Sequence, residues 1–282
     1  MEAGATRIAR ARLPAVSADT FRRLSYLALA ALFLIVVTGA TVRLTDSGLG
    51  CENWPRCGNT FLPQQGSHAF IEFGNRVAGV LVGLTTLAAA IAGWRVALAP
   101  RRLVWAAVAL PLLVLAQGIL GGITVLVHLH PLIVMGHFLL SLLAVAVAVV
   151  VALGATELAR GRRIAVRPDE LGWLALSLLP PTLVLVVTGT LVTAAGPHSG
   201  GADVKRFGNL VDALHVHVGA AAMFGIGFLA LVGLLLRRRR SARNELRLVL
   251  TVLAVLVAQM AAGDVQWREH LPWWLVLIHV TL

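Results

Sequence analysis

Repeated apolar segments constrain this chain more than any other feature, because each of the first seven is close to the length of about 20 residues that a helix needs to cross a membrane. The chain has 282 residues, of which 58% are hydrophobic and only 13% are charged. The segments lie near residues 24–42, 73–94, 103–125, 131–153, 171–192, 211–236, 247–264 and 272 to the end. We therefore predict an all-α membrane protein with eight transmembrane helices and no separate water-soluble domain.

The distribution of basic residues predicts the topology. Of the 24 lysines and arginines, 18 lie in alternate gaps: before the first apolar segment and after the second, fourth and sixth. This is the positive-inside pattern, which predicts a multi-pass protein of the plasma membrane with a cytoplasmic N-terminus. The net charge of +11 therefore indicates membrane anchoring rather than nucleic-acid binding, and the basic run at 237–240 is interpreted in the same way.

The first and last apolar segments need separate comment. The first is followed by Arg43 and further spans rather than by a small-residue cleavage site, so we predict a retained helix and not a removed signal peptide. The last begins at Pro272 and reaches only about half a span by Leu282. We expect the protein to continue beyond Leu282.

Polar positions recur at constant offsets along the chain. Residues 37–39 and 42 repeat at 187–189 and 192, and three polar positions repeat 142 residues later, namely Gln117 as Gln259, His137 as His279 and Asn75 as His217. We predict two pseudo-symmetric four-helix halves at 24–153 and 171–282, with a cytoplasmic tail at 1–23 and a cytoplasmic linker at 154–170. Four-helix units commonly hold cofactors between facing helices.

Three histidines lie inside apolar segments, where an ionisable side chain needs a functional reason. They are His137, His217 and His279. Two imidazoles at similar depth can hold one iron from both faces of a macrocycle, as haem ligation requires; a buried hydrogen bond between helices is the alternative for each. Zinc is disfavoured, because His215 beside His217 is too little for the tight ligand spacings of such sites.

The predicted outer loop at 43–72 holds both cysteines of the chain, Cys51 and Cys57. The positive-inside topology places them outside the membrane, where disulfides are permitted. A disulfide closing a loop of this length would stabilise the fold by about 2–2.5 kcal/mol. A structural disulfide, a redox-active pair and two free thiols all remain open from the residues alone.

Glu72 is the carboxylate that we single out, since it is predicted where the second helix begins and stands near Asn75 and Arg76. It can act as a general base or stabilise a cation, or it can simply complement the helix dipole. Arg76 can pair with carboxylates of a ligand, or it can extend to the membrane interface.

These residues resemble the haem A synthase family. The similar stretches are TGATVRLTDSGLGCENWPRC at 38–57, EFGNR at 72–76, QGILGGITV at 117–125 and the loop GPHSGGAD at 196–203. The resemblance runs from about residue 24 to the end and implies an enzyme that oxidises the C8 methyl of haem O to the formyl group of haem A, for aa3-type cytochrome oxidase. It also implies haem b as a cofactor on His217 and His279, a substrate haem near Glu72 and His137, and a role for the pair Cys51 and Cys57.

Two departures from the family pattern change the expected site. Asn75 stands where a histidine is usual, and an amide is a poor iron ligand, so we expect His137 alone to hold the substrate iron, with Asn75 and Arg76 beside it. The third outer loop has no cysteine pair, which excludes a disulfide relay through both halves. Water would then attack an oxidised methyl group twice, while Glu72 stabilises the charge or deprotonates that water and haem b passes the electrons on.

Two other functions compete with this one. A b-type cytochrome carrying electrons across the membrane would need ligands toward both faces, whereas all the candidate positions lie toward one. A haem-binding chaperone or exporter would need no carboxylate beside its substrate. The implied partners are haem O, haem O synthase and a membrane electron acceptor; the acceptor's identity, the oxygen source and a homo-oligomeric state stay open.

Overall fold

The computed structural model describes residues 15–51, 53–64, 66–162, 170–201, 204–238 and 242–282, and for Leu171 only the main chain. Regular structure in these ranges is helical, apart from an isolated bridge between Cys57 and Thr60. The helices are α1 (Ala18–Leu44), α2 (Ser67–Arg95), α3 (Arg101–Leu126), α4 (Pro131–Ala159), α5 (Glu170–Leu176), α6 (Leu179–Ala195), α7 (Leu210–Arg237), α8 (Arg243–Arg268) and α9 (Trp273–Thr281). The predicted all-α class is confirmed. Predictions that involve residues 1–14, 163–169, 202–203 and 239–240 lie outside the described residues.

Seven helical segments of the described chain are long and apolar enough to cross a membrane: α1 to α4, the segment Gly172–Ala195, α7 and α8. Large apolar side chains stay exposed along them, for example Val80 at 65%, Leu115 at 62% and Ile226 at 73%. Such continuous exposure is unusual for a protein in water but is expected where lipid covers the helix. Seven of the eight predicted spans are thus found, and the eighth corresponds to α9, a helix of nine residues.

α1 begins at Ala18, ahead of the apolar run predicted from residue 24. The hydroxyl of Ser17 accepts a hydrogen bond from the main-chain N–H of Thr20 at 3.1 Å, as a helix N-cap does. Asp19 then forms ion pairs with the two following arginines at 2.6 and 2.8 Å. Residues 18–23 of the predicted N-terminal tail are therefore helical, because polar capping rather than hydropathy determines where α1 begins.

The outer loop and the linker are also shorter than predicted. α2 begins at Ser67, so the loop ends at residue 66, and Glu72 lies in the second turn of the helix rather than at its start. α4 continues to Ala159, within the predicted linker. Hydropathy marks the apolar part of each helix, whereas main-chain hydrogen bonding continues through the polar residues beside it.

The fifth predicted span is interrupted near its start. α5 ends at Leu176 and α6 begins at Leu179, with Pro180 and Pro181 in the first turn of α6. Proline has no main-chain N–H and its ring clashes with the preceding turn, so it starts a helix readily and breaks one that arrives from before it.

The described chain forms two compact units, which we call the N-unit and the C-unit. The N-unit comprises Met1–Gly39, Gly50–Val127 and Gly136–Ala165, and the C-unit comprises Ala40–Leu49, His128–Met135 and Val166–Leu282. Each unit is discontinuous in sequence, whereas the repeat predicts contiguous halves at 24–153 and 171–282. That division of the chain stays a prediction.

Small side chains on α4 build much of the N-unit core. Ala144, Ala148, Val151 and Ala155 are fully buried at successive helical turns, which lets neighbouring helices approach closely. In the C-unit, α6 packs on α7, and α8 packs on α7 and α9.

Glu170 and Arg238 lie outside the apolar spans of the C-unit. Hydrogen bonds from Arg238 lower the pKa of the carboxyl group of Glu170 below its ordinary value.

Candidate functional site

A disulfide between Cys51 and Cys57 closes the loop between α1 and α2. The two residues are 1% and 9% exposed, so the bond is almost inaccessible. The main-chain N–H of Cys57 also donates to the carbonyl oxygen of Thr60 at 2.8 Å. The predicted disulfide is confirmed, and the free-thiol alternative is wrong.

The carboxylate of Glu72 is buried against this loop, with 5% of the residue exposed. Its Oε2 accepts a hydrogen bond from the main-chain N–H of Cys51 at 2.7 Å. Its Oε1 is paired with the guanidinium of Arg76, one turn along α2. The dipole at the start of α2 does not explain the position, because its effect fades within the first turn. Glu72 therefore joins the disulfide loop to the helix.

Gly50 allows the loop to approach α2 this closely. A Cβ atom on Gly50 would overlap main-chain atoms of His68 and Ala69 at the start of the helix. Main chain cannot move aside as the end of a flexible side chain can, so only glycine fits there.

The guanidinium of Arg76 is directed at the loop. Its terminal nitrogens donate to the carbonyl oxygens of Asn53, Pro55 and Arg56 at 3.1–3.3 Å, in addition to the pair with Glu72. These hydrogen bonds gather three loop carbonyl groups around one cation. The predicted role of Arg76 in binding a substrate carboxylate stays a prediction, since its described partners belong to the protein.

Trp54 connects the loop to α3 by packing its indole ring on that helix. A Cβ atom on Gly122 would come within 2.6 Å of the indole, so the ring lies flat against a bare stretch of helix. The preceding residue, Gly121, faces the imidazole of His137 in the same way, where a Cβ atom would lie 3.3 Å from Cε1. Two adjacent glycines thus place the loop indole and a predicted iron ligand on neighbouring positions of one helix.

His137 is half-buried, and its Nδ1 atom is buried without a hydrogen-bond partner in the described chain. Its carbonyl oxygen accepts from the side-chain amide of Gln117 at 2.9 Å, and the same amide donates to Ser141 at 2.6 Å. Buried imidazole nitrogens are normally satisfied, so an unpartnered one is consistent with a ligand position. The donor chemistry of His137 fits an iron.

Asn75 is engaged with α1. Its Oδ1 accepts from the hydroxyl of Thr38 at 2.7 Å, and the residue is half-buried. The amide therefore has a structural partner in the N-unit, and it faces Gly39 of the same Thr-Gly step. Its predicted place beside the substrate iron stays a prediction.

His217 has a partner that orients its ring. Its Nδ1 lies 3.1 Å from the hydroxyl of Thr188, which donates its own hydrogen to main-chain carbonyls of α6. With the hydroxyl hydrogen directed to those carbonyl groups, we assign Nδ1–H as the donor and Nε2 as the unprotonated nitrogen. Gly189 gives the ring its space, because a Cβ atom there would lie 3.1 Å from Cε1.

His279 is held in the same manner. Its Nδ1 lies 3.2 Å from the carbonyl oxygen of Gln259 and can only donate to it, so Nε2 is again free to bind a metal. The side-chain amide of Gln259 in turn donates to the carbonyl oxygen of His279 at 2.8 Å. A Cβ atom on Gly263 would lie 3.2 Å from the imidazole.

His217 and His279 are close enough to interact electrostatically, and both are half-buried. Two imidazoles with oriented Nδ1–H groups and free Nε2 atoms are the donor set that axial haem ligation uses. The C-unit residues therefore fit a haem. Among the described residues no three His, Cys, Asp or Glu side chains converge into a cluster that could hold a metal ion; axial ligation needs only two protein donors.

The remaining histidines play other parts. His68, His128, His130, His215 and His270 are exposed. His198 bonds through Nε2 to the carbonyl oxygen of Leu271 at 2.7 Å. We therefore do not count them among the candidate iron ligands.

The same contacts recur in the two units at the offsets found in the sequence. Thr38 binds Asn75 as Thr188 binds His217, and Gln117 binds His137 as Gln259 binds His279. A turn with two left-handed residues also recurs, at His128 and Leu129 and again at His270 and Leu271. Sequence reasoning missed this turn and the ring-facing glycines Gly121 and Gly263, although both obey the 142-residue offset that would have revealed them.

Comparisons with known proteins identify the family of the chain. The chain matches the family described as cytochrome oxidase assembly protein (COX15-CtaA) over residues 22–282. It is 33% identical over 270 residues to the haem A synthase of Symbiobacterium thermophilum, covering 90% of this chain and 87% of that protein. It is 28% identical over 178 residues to the haem A synthase of Bacillus pumilus, covering 61% and 58%.

A shorter similarity, 33% over 63 residues, links the chain to a protein named protoheme IX farnesyltransferase from Halobacterium salinarum and covers 22% of this chain and 14% of that one. The family match spans nearly the whole chain, and so does the longest of these alignments. The chain belongs to the haem A synthase family.

Proposed function

We propose that this protein is a haem A synthase that oxidises the C8 methyl group of haem O to a formyl group. The observation that carries the proposal is the similarity to a haem A synthase over 90% of the chain. The buried carboxylate of Glu72 and the unpartnered Nδ1 atom of His137, both in the N-unit, support it.

The C-unit is the proposed site of a resident haem b. Nε2 of His217 and of His279 would hold its iron, because the Nδ1 atom of each ring is already hydrogen-bonded. When bound, this haem would supply a one-electron redox centre. The chain's contribution is to hold both rings against Gly189 and Gly263 and to fix their tautomers.

The N-unit is the proposed substrate site. His137 would bind the iron of haem O on one face, and Asn75 would stand on the other face without ligating it strongly, since its Oδ1 is taken by Thr38. Arg76 would act mainly by holding the disulfide loop. Trp54 would close the site beside His137, because the two rings rest on adjacent glycines of α3.

The proposed reaction consists of two hydroxylations and a dehydration. Each hydroxylation joins one water oxygen to the methyl carbon and releases two electrons and two protons, so the methyl becomes a hydroxymethyl and then a gem-diol. Loss of water gives the aldehyde, for a total of four electrons delivered to a membrane-bound electron acceptor. Glu72 would stabilise the cationic carbon or take a proton from the attacking water.

The same proposal covers architecture and location. The halves at 24–153 and 171–282 would be pseudo-symmetric repeats joined by the linker at 154–170. Both sites would lie toward the outer face of the plasma membrane, with the N-terminus in the cytoplasm. The recurring contacts support the repeat: a threonine binds the residue at 75 or 217, and a glutamine binds the histidine at 137 or 279. The alternating basic gaps support the orientation. Haem O synthase is the proposed source of substrate.

The test is to express the full chain in membranes supplied with haem O and to identify extracted haems by mass. We expect haem A and the hydroxylated intermediate, together with haem b retained by the purified protein. His217→Ala and His279→Ala should each lose the haem b spectrum, whereas His215→Ala, on the same helix as His217, should keep it.

Haem b without any oxidised product would instead indicate a b-type cytochrome. Retention of unmodified haem O through purification would indicate a haem carrier. Either result would refute the proposed reaction.

A further inference from the structure

An open cavity of about 690 Å³ lies in the C-unit where α6 ends, α7 begins and α8 ends. Its wall combines apolar side chains, such as Leu210 and Trp267, with the guanidinium groups of Arg206 and Arg268. No carboxylate of the described residues lines it. A cavity with this lining suits a ligand that has an apolar body and an anionic edge.

The cavity lies at the same end of the helices as the histidine pair. Leu210 precedes His217 by seven residues, about 10 Å along α7. Trp267 follows Gly263, which packs on His279, by one turn of α8. Measured along the helices, the cavity therefore begins about two turns from His217 and about one turn from the glycine that packs on His279.

Two arginines raise the positive charge beside it. Arg206 donates to the carbonyl oxygen of Gly196 at 2.6 Å, and Arg43, close enough to Arg206 to repel it, donates to that of Thr193 at 2.6 Å. Carbonyl groups at the end of a helix attract cations but do not neutralise them. Asp46 is close enough to Arg43 to attract it, and no carboxylate of the described residues forms an ion pair with Arg206.

Arg268 contributes less, because its Nε already pairs with Asp264 at 2.8 Å and its side chain is 73% exposed. Among the described residues, Arg206 is therefore the guanidinium group of the wall that has no carboxylate partner. Planar guanidinium groups bind carboxylates and phosphates through two parallel hydrogen bonds.

We propose that the cavity receives the propionate edge of the haem held by His217 and His279, with Arg206 as the main carboxylate contact. This inference rests on the proposed haem b site of the C-unit. A lipid phosphate has the same chemistry, and the experiment must separate the two sources.

The experiment uses the purified full chain, stripped of haem and titrated with haem b or with its dimethyl ester, in which both propionates are neutral. The absorbance of the bis-imidazole haem reports binding. Wild type should bind the free acid about tenfold more tightly than the ester, the value of one charge-assisted hydrogen bond. In Arg206→Gln the preference should fall to near unity through weaker binding of the free acid.

Arg237→Gln is the matched control, because it removes the same charge from the opposite end of α7 and should keep the tenfold preference. Arg206→Lys should retain an intermediate preference, and it serves as the test variant if the glutamine variant does not fold.

An equal preference for the free acid in wild type and in the Arg206 variants would overturn the inference. So would a phospholipid that copurifies with wild type and is lost from Arg206→Gln without any change in haem preference. If wild type binds neither haem with a bis-imidazole spectrum, the haem b site itself is wrong, a failure that the spectrum distinguishes from the others.

Discussion

Replacing Glu72 by glutamine tests the connection between the disulfide loop and α2. Glutamine keeps an oxygen that can accept from the main-chain N–H of Cys51, but it removes the negative charge that faces Arg76. The new amide group would also point N–H donors toward a guanidinium that can only donate. The substitution therefore breaks the ion pair while nearly preserving side-chain volume.

The free energy lost with the ion pair follows from the burial of both side chains. The side chains of Glu72 and Arg76 are 7% and 17% exposed, so water compensates little for the lost pair. Breaking a buried pair costs about 3–5 kcal/mol, and we take about 3 kcal/mol because Arg76 keeps three loop carbonyl groups as acceptors. That energy favours opening of the loop by about a hundredfold.

The rate of reduction of the Cys51–Cys57 disulfide measures this opening, because the closed bond is almost inaccessible. Purified wild type and variant would be exposed to a water-soluble thiol, and the new thiols labelled and counted over time. We expect reduction about a hundredfold faster in Glu72→Gln. Asp46→Asn is the control, since asparagine tolerates the left-handed backbone of residue 46 and this carboxylate is exposed.

Measurements of haem A formation separate the effect of loop opening from a chemical role of the Glu72 carboxylate. Arg76→Gln should open the loop to a similar extent but leave the carboxylate, so it should retain more haem A formation than Glu72→Gln, by about 10²–10⁴ if Glu72 acts on the reacting water. Unchanged disulfide reduction in Glu72→Gln would refute the loop argument. Equal activity in the two variants would refute a chemical role for the carboxylate.

Three further predictions concern two packed glycines and the disulfide bond. Gly189→Ala should displace the ring of a proposed iron ligand and lower the haem b content of the purified protein, whereas Gly219→Ala, with no atom within 4 Å of the added carbon, should leave it unchanged. Cys51→Ser should lower the stability of the loop by about 2 kcal/mol, measured as faster proteolytic cleavage between α1 and α2. Gly122→Ala should push Trp54 off α3, and unaltered quenching of indole fluorescence by a soluble quencher would contradict this.

The hydropathy of the chain was enough to predict its first seven spans, because burying about twenty apolar residues in lipid outweighs local preferences. It was not enough to predict where the helices end. Ser17 and Asp19 start α1 with hydrogen bonds and ion pairs that carry no hydropathy signal. Pro180 and Pro181 were visible in the sequence, and the break that they impose between α5 and α6 could have been predicted from proline chemistry alone.

The glycines of α3 show most clearly what could not be predicted from the sequence. Gly118, Gly121 and Gly122 lie on one stretch of five residues in α3. Nothing lies within 4 Å of a Cβ atom built on the first, whereas the second faces His137 and the third faces Trp54. A glycine in an apolar helix looks the same whether it faces lipid or a ring. Only packing decides which.

By itself the sequence predicted a helical membrane protein, a cysteine-bearing loop between the first two apolar segments, and polar positions that recur at a constant offset, His137 and His279 among them. Only the tertiary structure decided where the two charges on α2 beside that loop are directed. Arg76 and Glu72 bind the main chain at residues 51–56, because folding brings those carbonyl and N–H groups together around them. Main-chain groups are identical in every residue, so their arrangement around a side chain exists only once the chain has folded.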